Sequence, residues 1–307
     1  MLASVLLALA CVFVGPQGIA LPDFASDAGR NLFNLRLARI VTGFVVGAAL
    51  ASSGAVFQAV LRNPLADPYV LGVSGGAALG AATMIVFGLS GLALWTLPAG
   101  AFAVAILSLL LVVALSSGRR MRTESGLILC GVIVSAMASS LLMILQTFAS
   151  ASGLQSITWW MLGSLQSTSV NLLAGCSACT LVGLAAALWM ARDLDALTLG
   201  GEMAHHLGVN AKRVSLLALA AATLSASAAV AMAGLIGFVG RIVPHAVRRM
   251  VGAGHRMLLP ACLFAGGTFL VLCDTLARVA FAPRELPVGV VTALLGGPFF
   301  LWILRRS

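Results

Sequence analysis

Side chains able to do chemistry are scarce in this sequence and unevenly placed. Nine acids stand against 18 Lys and Arg, with four His and six Cys, in 307 residues. Asp274 and Arg278 lie four residues apart inside an otherwise apolar run, a spacing that sets them on one helix face as an ion pair. Charge within lipid is costly and marks a functional position by default. Arg36 and Arg39 open another apolar run, and Arg241 stands in a segment broken by three glycines and a proline, GLIGFVGRIVPH from Gly234 to His245. Arg241 itself needs water, a carbonyl cluster or an acid to face.

Covalent and metal chemistry find no set of residues to carry them. Cys176 and Cys179 form a C-x-x-C, but without the second pair that a zinc site needs. These two read as packing, as do Cys11, Cys130, Cys262 and Cys273 in their apolar runs. The sequence contains no H-E-x-x-H and no comparable nucleophile–base arrangement, which argues against an intramembrane enzyme. It also lacks G-x-x-x-x-G-K-[ST], so any ATP hydrolysis belongs to another chain. We expect no catalytic residue, no bound metal and no resident cofactor.

The elements that position these residues are membrane helices. Hydrophobic residues make up 61% of the chain and charged ones 9%, with a mean hydropathy of +1.08. Soluble domains carry about 25% charged residues. The deficit excludes a soluble fold, and the net charge of +9 then orients the chain in lipid rather than attracting nucleic acid. Apolar runs able to cross about 30 Å of hydrocarbon read as 1–16, 36–61, 70–89, 92–117, 126–149, 170–191, 213–234, 257–281 and 288–304, with a short one at 242–251. The first lacks a basic leader and reads as a short span rather than a cleavable signal. The expected fold is all-α, an integral membrane protein of about ten transmembrane helices including one half-helix, in a single domain over 1–307. Alternate sides of these spans collect twelve and six Lys or Arg, the six being Arg30, Arg36, Arg39, Arg241, Arg278 and Arg284. The richer side is predicted to be cytoplasmic, with both termini there. All four histidines, His205, His206, His245 and His255, then lie at or near the inner side, and Tyr69 is the only tyrosine.

Two segments depart from plain spans. RDLDALTLGGEMAHHLGVNAKR, from Arg192 to Arg213, spaces Leu197, Leu199, Met203, Ala204 and Leu207 through Gly200, Gly201 and Gly208. This pattern predicts two short amphipathic helices joined by a glycine turn, docked on a soluble partner. The second is the broken segment around Arg241, where irregular backbone at membrane depth must be buried in protein or line a cavity. Small residues four apart, Gly43/Gly47, Gly72/Gly76 and Gly76/Gly80, predict close helix packing within the chain. Few acids lie at mid-bilayer, which speaks against a proton-coupled secondary transporter.

These marks together resemble the permease subunits of type II ABC importers for ferric siderophores, haem and vitamin B12. The resemblance covers nearly the whole chain. It rests on Arg36-Leu-Ala-Arg39, Ser53 to Gly80 (SGAVFQAVLRNPLADPYVLGVSGGAALG), WWMLGSL at Trp159 to Leu165, LGGEMAHHLGV at Leu199 to Val209 and GLIGFVGRIVPHAVRRMVGAGHR at Gly234 to Arg256. Asp274 with Arg278, and ELPVGVVTALLGGPFFLW from Glu285 to Trp302, complete it.

What the resemblance implies can be placed on residues. Leu199, Gly200, Glu202, Ala204, Leu207 and Gly208, within coupling helices at about 193–210, would sit in the ATPase subunit. Arg36, Arg39 and Arg278 would receive carboxylates from a periplasmic binding protein. Glu124 and Ser125 would form the inner gate, Glu124 being a departure where a Thr/Ser-type pair is common. Arg241 is a second departure, standing where relatives usually carry Leu. Met137, Trp160 and Met161 would line the path, formed between two copies by helices at 124–149, 159–165 and 288–302. The implied partners are a second copy, two ATPase subunits holding ATP and Mg, the binding protein and membrane lipid. The implied location is the bacterial inner membrane. Met137, Met143 and Met161 give an adaptable apolar lining that favours haem or a corrinoid over a hydrophilic siderophore; haem is the expected cargo, with vitamin B12 or a ferric siderophore as the alternative. A secondary transporter is the alternative from another class.

Overall fold

The structure is a computed structural model describing residues 2–15, 18–19, 24, 26–116, 124–165 and 169–305. Thirteen α-helices run through the described residues. They are α1 (Leu2–Ala10), α2 (Asp27–Val60), α3 (Val73–Val86), α4 (Thr96–Ser116), α5 (Glu124–Thr147), α6 (Ala151–Leu162) and α7 (Val170–Trp189). There follow α8 (Ala191–Thr198), α9 (Gly201–His206), α10 (Ala211–Ala233), α11 (Val239–Val251), α12 (His255–Val279) and α13 (Val288–Leu304). A two-residue antiparallel pairing of Val14–Gly15 with Gly18–Ile19 is the only sheet among the described residues. Arg119, Arg120, Arg122 and Arg306, which entered the charge count, lie outside the described residues.

Six helices, α2, α4, α5, α7, α10 and α12, are long and apolar enough to cross a membrane, and α3 and α13 are shorter apolar helices. Each predicted run contains a helix, the run at 1–16 only over Leu2–Ala10, and boundaries moved where local chemistry overrode hydropathy. The helix expected from 36 begins at Asp27, because Ser26 accepts a hydrogen bond from the Gly29 N–H and Asp27 supplies an acid to the first turn. The short helix expected at 159–165 is the second half of α6. That helix starts where Ser150 accepts from the Gly153 N–H and stops before Gly163, whose φ of +73° is left-handed.

Helix α2 is the centre. From Ile40 onward it is buried almost throughout, flanked by α10, α11 and α12. Its most extensive packing is with α12: a Cβ added at Gly47 would lie 2.2 Å from the Gly266 carbonyl oxygen. Lower on α2, Gly54 meets Gly240 of α11 equally closely, with 2.1 Å from a built Cβ to the Gly240 oxygen. Lacking water between them, membrane helices gain by such backbone approach. Gly43, Gly76 and Gly80 likewise meet other helices of the same chain, as their spacing predicts. At the periphery, only 28% of the apolar window of α5 and 22% of that of α7 is buried, against 83% for α2.

Candidate functional site

At the first end of α2, an acid is shared by two arginines. Asp274, 2% exposed, is paired with Arg278 one turn on, Nε to Oδ2 3.1 Å, as the four-residue spacing predicts. Its second partner is Arg39 of α2, whose Nη2 and Nε donate at 2.9 and 3.1 Å. The other nitrogen of Arg39, Nη1, donates to Glu285 at 2.9 Å, and this glutamate is 46% exposed. Arg278 is buried; it donates further to the Val14 carbonyl at 3.1 Å and to Thr275 Oγ1 at 3.2 Å. Arg36 is half-buried and reaches the Val12 carbonyl only at 3.5 Å. The three predicted arginines therefore gather in one place with unequal exposure. Arg36, with the Arg39–Glu285 edge, is presented outward, while Arg278 lies beneath them.

At the break, α10 ends at Ala233 and the chain turns through Gly234 (φ +72°) and Phe238 (φ +70°) before α11 begins. Phe238 is not glycine, so the turn is held by neighbours. Tyr69 supplies two contacts, accepting from the Ile236 N–H at 2.9 Å and donating to the Ile236 carbonyl at 2.7 Å. Arg241 faces an acid: its Nε lies 2.6 Å from Oδ2 of Asp67, a side chain 3% exposed. The guanidinium also stands over the Phe238 ring, 5.7 Å from its centroid.

This placement corrects the charge count, which put Arg241 with the outer six. Gly240 packs on Gly54, and Arg248 donates to Gln58 Oε1 at 3.0 Å, so α11 runs beside the last turns of α2, away from Arg36 and Arg39. The break turns the chain so that α11 runs toward the second end of α2. Asp67 and Tyr69 gave a faint signal in the sequence: one is among nine acids and the other is the sole tyrosine.

At the second end of α2 the segment 191–210 forms α8 and α9, joined at Gly200 (φ +108°) and closed at Gly208 (φ +79°), the two short helices its pattern predicts. Leu194 and Ala204 face inward at 0% exposed. Leu199, Met203 and Leu207 face outward at 65%, 52% and 59%. Glu202 in the first turn of α9 is exposed too. The result is a small apolar surface with charge at its edge, carried on elements anchored in the core. The sequence pattern did not reveal that Asp195 of α8 caps α12: its Oδ1 accepts from the His255 N–H at 2.9 Å and lies 2.5 Å from His255 Nδ1.

The residues expected to line a path lie on α5 and α6. Met137 on α5 is 56% exposed, in a face with Leu129, Ile133, Leu141 and Ile144. Trp160 and Met161 close α6 and are half-buried. Ser125 is exposed at the start of α5. Glu124 opens that helix, with its side chain outside the described residues. No group of three or more His, Cys, Asp or Glu able to hold a metal occurs among the described residues. Cys176 and Cys179 are free thiols in an apolar hollow of about 310 Å³ between α4, α7 and α10.

A model of the FecCD transport family matches residues 2–306. The hemin transport system permease protein HmuU of Yersinia pestis is 40% identical over 277 residues, spanning 89% of this chain and 83% of that protein. The cobalamin import system permease protein BtuC of Halobacterium salinarum is 40% identical over 298 residues, 97% and 79% of the two chains. A solved structure described as an inward-facing ABC transporter of metal-chelate type superposes with a TM-score of 0.90 at 31% identity, covering 100% and 97%. PsaBC from Streptococcus pneumoniae, in complex with Fab, superposes with a TM-score of 0.60 at 18% identity, a likeness of fold.

Proposed function

Because the chain belongs to the FecCD transport family, we propose that it is the membrane-spanning permease subunit of a type II ABC importer that moves a bulky metal chelate from periplasm to cytoplasm. The observation that carries this reading is the division of labour along α2: carboxylate-seeking arginines at one end and an apolar, partner-ready surface at the other. Arg36 and the Arg39–Glu285 edge meet acids of a periplasmic binding protein, with Arg278 holding Asp274 beneath them. Arg–carboxylate contacts of this kind set orientation and speed association. Leu199, Met203 and Leu207, with Glu202, dock on a partner ATPase that holds ATP and Mg. Closure of two such subunits displaces α8 and α9, and a path between two copies opens at one side at a time. Its walls are α5, α6 and α13, with Glu124 and Ser125 at the inner gate. The chain itself hydrolyses nothing. Both termini are cytoplasmic in this reading, and the membrane is the bacterial inner membrane.

Haem is the cargo we favour. Met137 and Met143, 56% and 66% exposed on different faces of α5, are adaptable apolar side chains suited to a macrocycle. The relatives named for hemin and for cobalamin are equally similar, so the chelate is decided by assay. The complex with its ATPase and binding protein is reconstituted in proteoliposomes, and ATP hydrolysis is measured with haem, cobalamin and a ferric siderophore. Haem is expected to stimulate. Stimulation by one of the others alone overturns the choice of haem. Silence with all three, or uptake that proceeds without the ATPase as in a secondary transporter, overturns the importer reading.

A further inference from the structure

Helix α12 begins without a cap of its own. Its N-cap residue, Gly254, has no side chain, and the first-turn N–H groups need an acceptor from elsewhere. Asp195 supplies it from α8: one carboxylate oxygen accepts the His255 N–H and faces the His255 ring nitrogen, so the backbone and side chain of one residue are tied to one acid. His255 is 1% exposed, and its other nitrogen, Nε2, is buried without a hydrogen-bond partner among the described residues. All polar attachment of that ring is therefore to α8. On the α8 side Leu194 and Leu197 are buried and Thr198 donates to the Asp195 carbonyl at 2.7 Å, so the acid sits on a fixed turn.

From this attachment α12 runs the thickness of the protein to Asp274 and Arg278. Along the way Gly266 has the Gly47 carbonyl oxygen 2.4 Å from a built Cβ, and Gly267 has the Phe44 ring at 2.6 Å. At the far end Arg39 of α2 closes the pair by binding Asp274. Packed backbones without room between them transmit displacement rather than absorb it.

We propose that the Asp195–His255 contact is the joint through which the α8–α9 segment drives α12, and that α12 carries the displacement to the Asp274–Arg39–Arg278 cluster. Asp195 and His255 are then positioning residues for transport. The inference rests on the importer reading above and adds to it a defined mechanical route. A cap that served folding alone predicts a different outcome, because its loss lowers assembly and every activity together.

The test uses the whole complex with its ATPase and binding protein, comparing wild type with Asp195→Ala and Asp195→Asn. In the Ala variant, basal ATP hydrolysis stays within about twofold while stimulation by the loaded binding protein falls by about fivefold or more, the usual span of a coupling between sites. The Asn variant keeps an oxygen that accepts both donors and retains stimulation. Hydrogen exchange gives a second readout. Addition of ATP alters exchange at 199–207 and at 274–279 in wild type, and in the Ala variant only at 199–207. Three results overturn the joint: full stimulation in Asp195→Ala, equal loss in Asp195→Asn, or no nucleotide response at 274–279 in wild type. If 199–207 itself is silent in wild type, the importer reading has failed together with the joint built on it.

Discussion

Replacing Asp274 by Ala is the most demanding test of the charge cluster, because the structure says which arginine is left stranded. Arg39 keeps Glu285 at 2.9 Å and is 18% exposed in its side chain, so it retains both a partner and some water. A half-screened pair of that kind is worth at most about 1 kcal/mol. Arg278, 4% exposed, keeps as hydrogen-bond acceptors among the described residues only the Val14 carbonyl and Thr275 Oγ1, both neutral. Removing one partner of a buried ion pair costs roughly 3–5 kcal/mol, because the remaining charge stays buried. At about 1.4 kcal/mol per tenfold, the folded-to-unfolded ratio falls on the order of a hundred- to a few-thousand-fold. Equilibrium unfolding in lipid bicelles measures this directly. The double variant Asp274→Ala with Arg278→Met removes the stranded charge and is expected to recover most of the loss. A single variant within about 1 kcal/mol of wild type, or a double variant no more stable than the single, refutes the assignment of the cost to Arg278.

The same unfolding assay checks two further expectations. Gly47→Ala places a methyl 2.2 Å from the Gly266 carbonyl oxygen and forces α2 from α12, lowering stability by about 1–3 kcal/mol. Gly175→Ala in α7, with nothing within 4 Å, raises it by about 0.5–1 kcal/mol; equal signs for the two would count against the seam. Arg241→Leu leaves Asp67, 3% exposed, without its cation and is expected to cost about 3–5 kcal/mol, most of it regained when Asp67→Asn is added. An unchanged unfolding midpoint in Arg241→Leu would show that this pair does not hold the break.

Most of the fold could be read from the sequence because lipid makes apolar length decisive. Where polar residues enter a helix, length fails as a guide. The first turns of α2 carry Arg30, Asn31, Asn34 and Arg36, so hydropathy started the helix late, although Ser26 and Asp27 hold a recognisable start signal. The Asp274–Arg278 pair was legible because helix period joins residues four apart. Arg39 is 235 positions from Asp274, and no periodicity reports contact over that distance. Asp67 was hidden from Arg241 for the same reason, and so was the course of α11. Counting charges assumes that each apolar run crosses the membrane fully, and the backbone break at Gly234–Phe238 violates that assumption. Asp195 reads only as part of the amphipathic segment and His255 only as an inner-side histidine, since a cap supplied by another helix leaves no mark at either position.

The open face of α5 bears on how two copies could hold together. Leu129, Ile133, Met137, Leu141 and Ile144 are 45–56% exposed there, and every one is a side chain that acyl chains solvate well. Moving such residues from lipid to protein releases no ordered water, so the hydrophobic effect contributes little to association inside a bilayer. A pair of these chains would cohere through shape and through whatever grips both from outside the membrane. Detergent extraction without those soluble partners is therefore the condition under which single chains are to be expected.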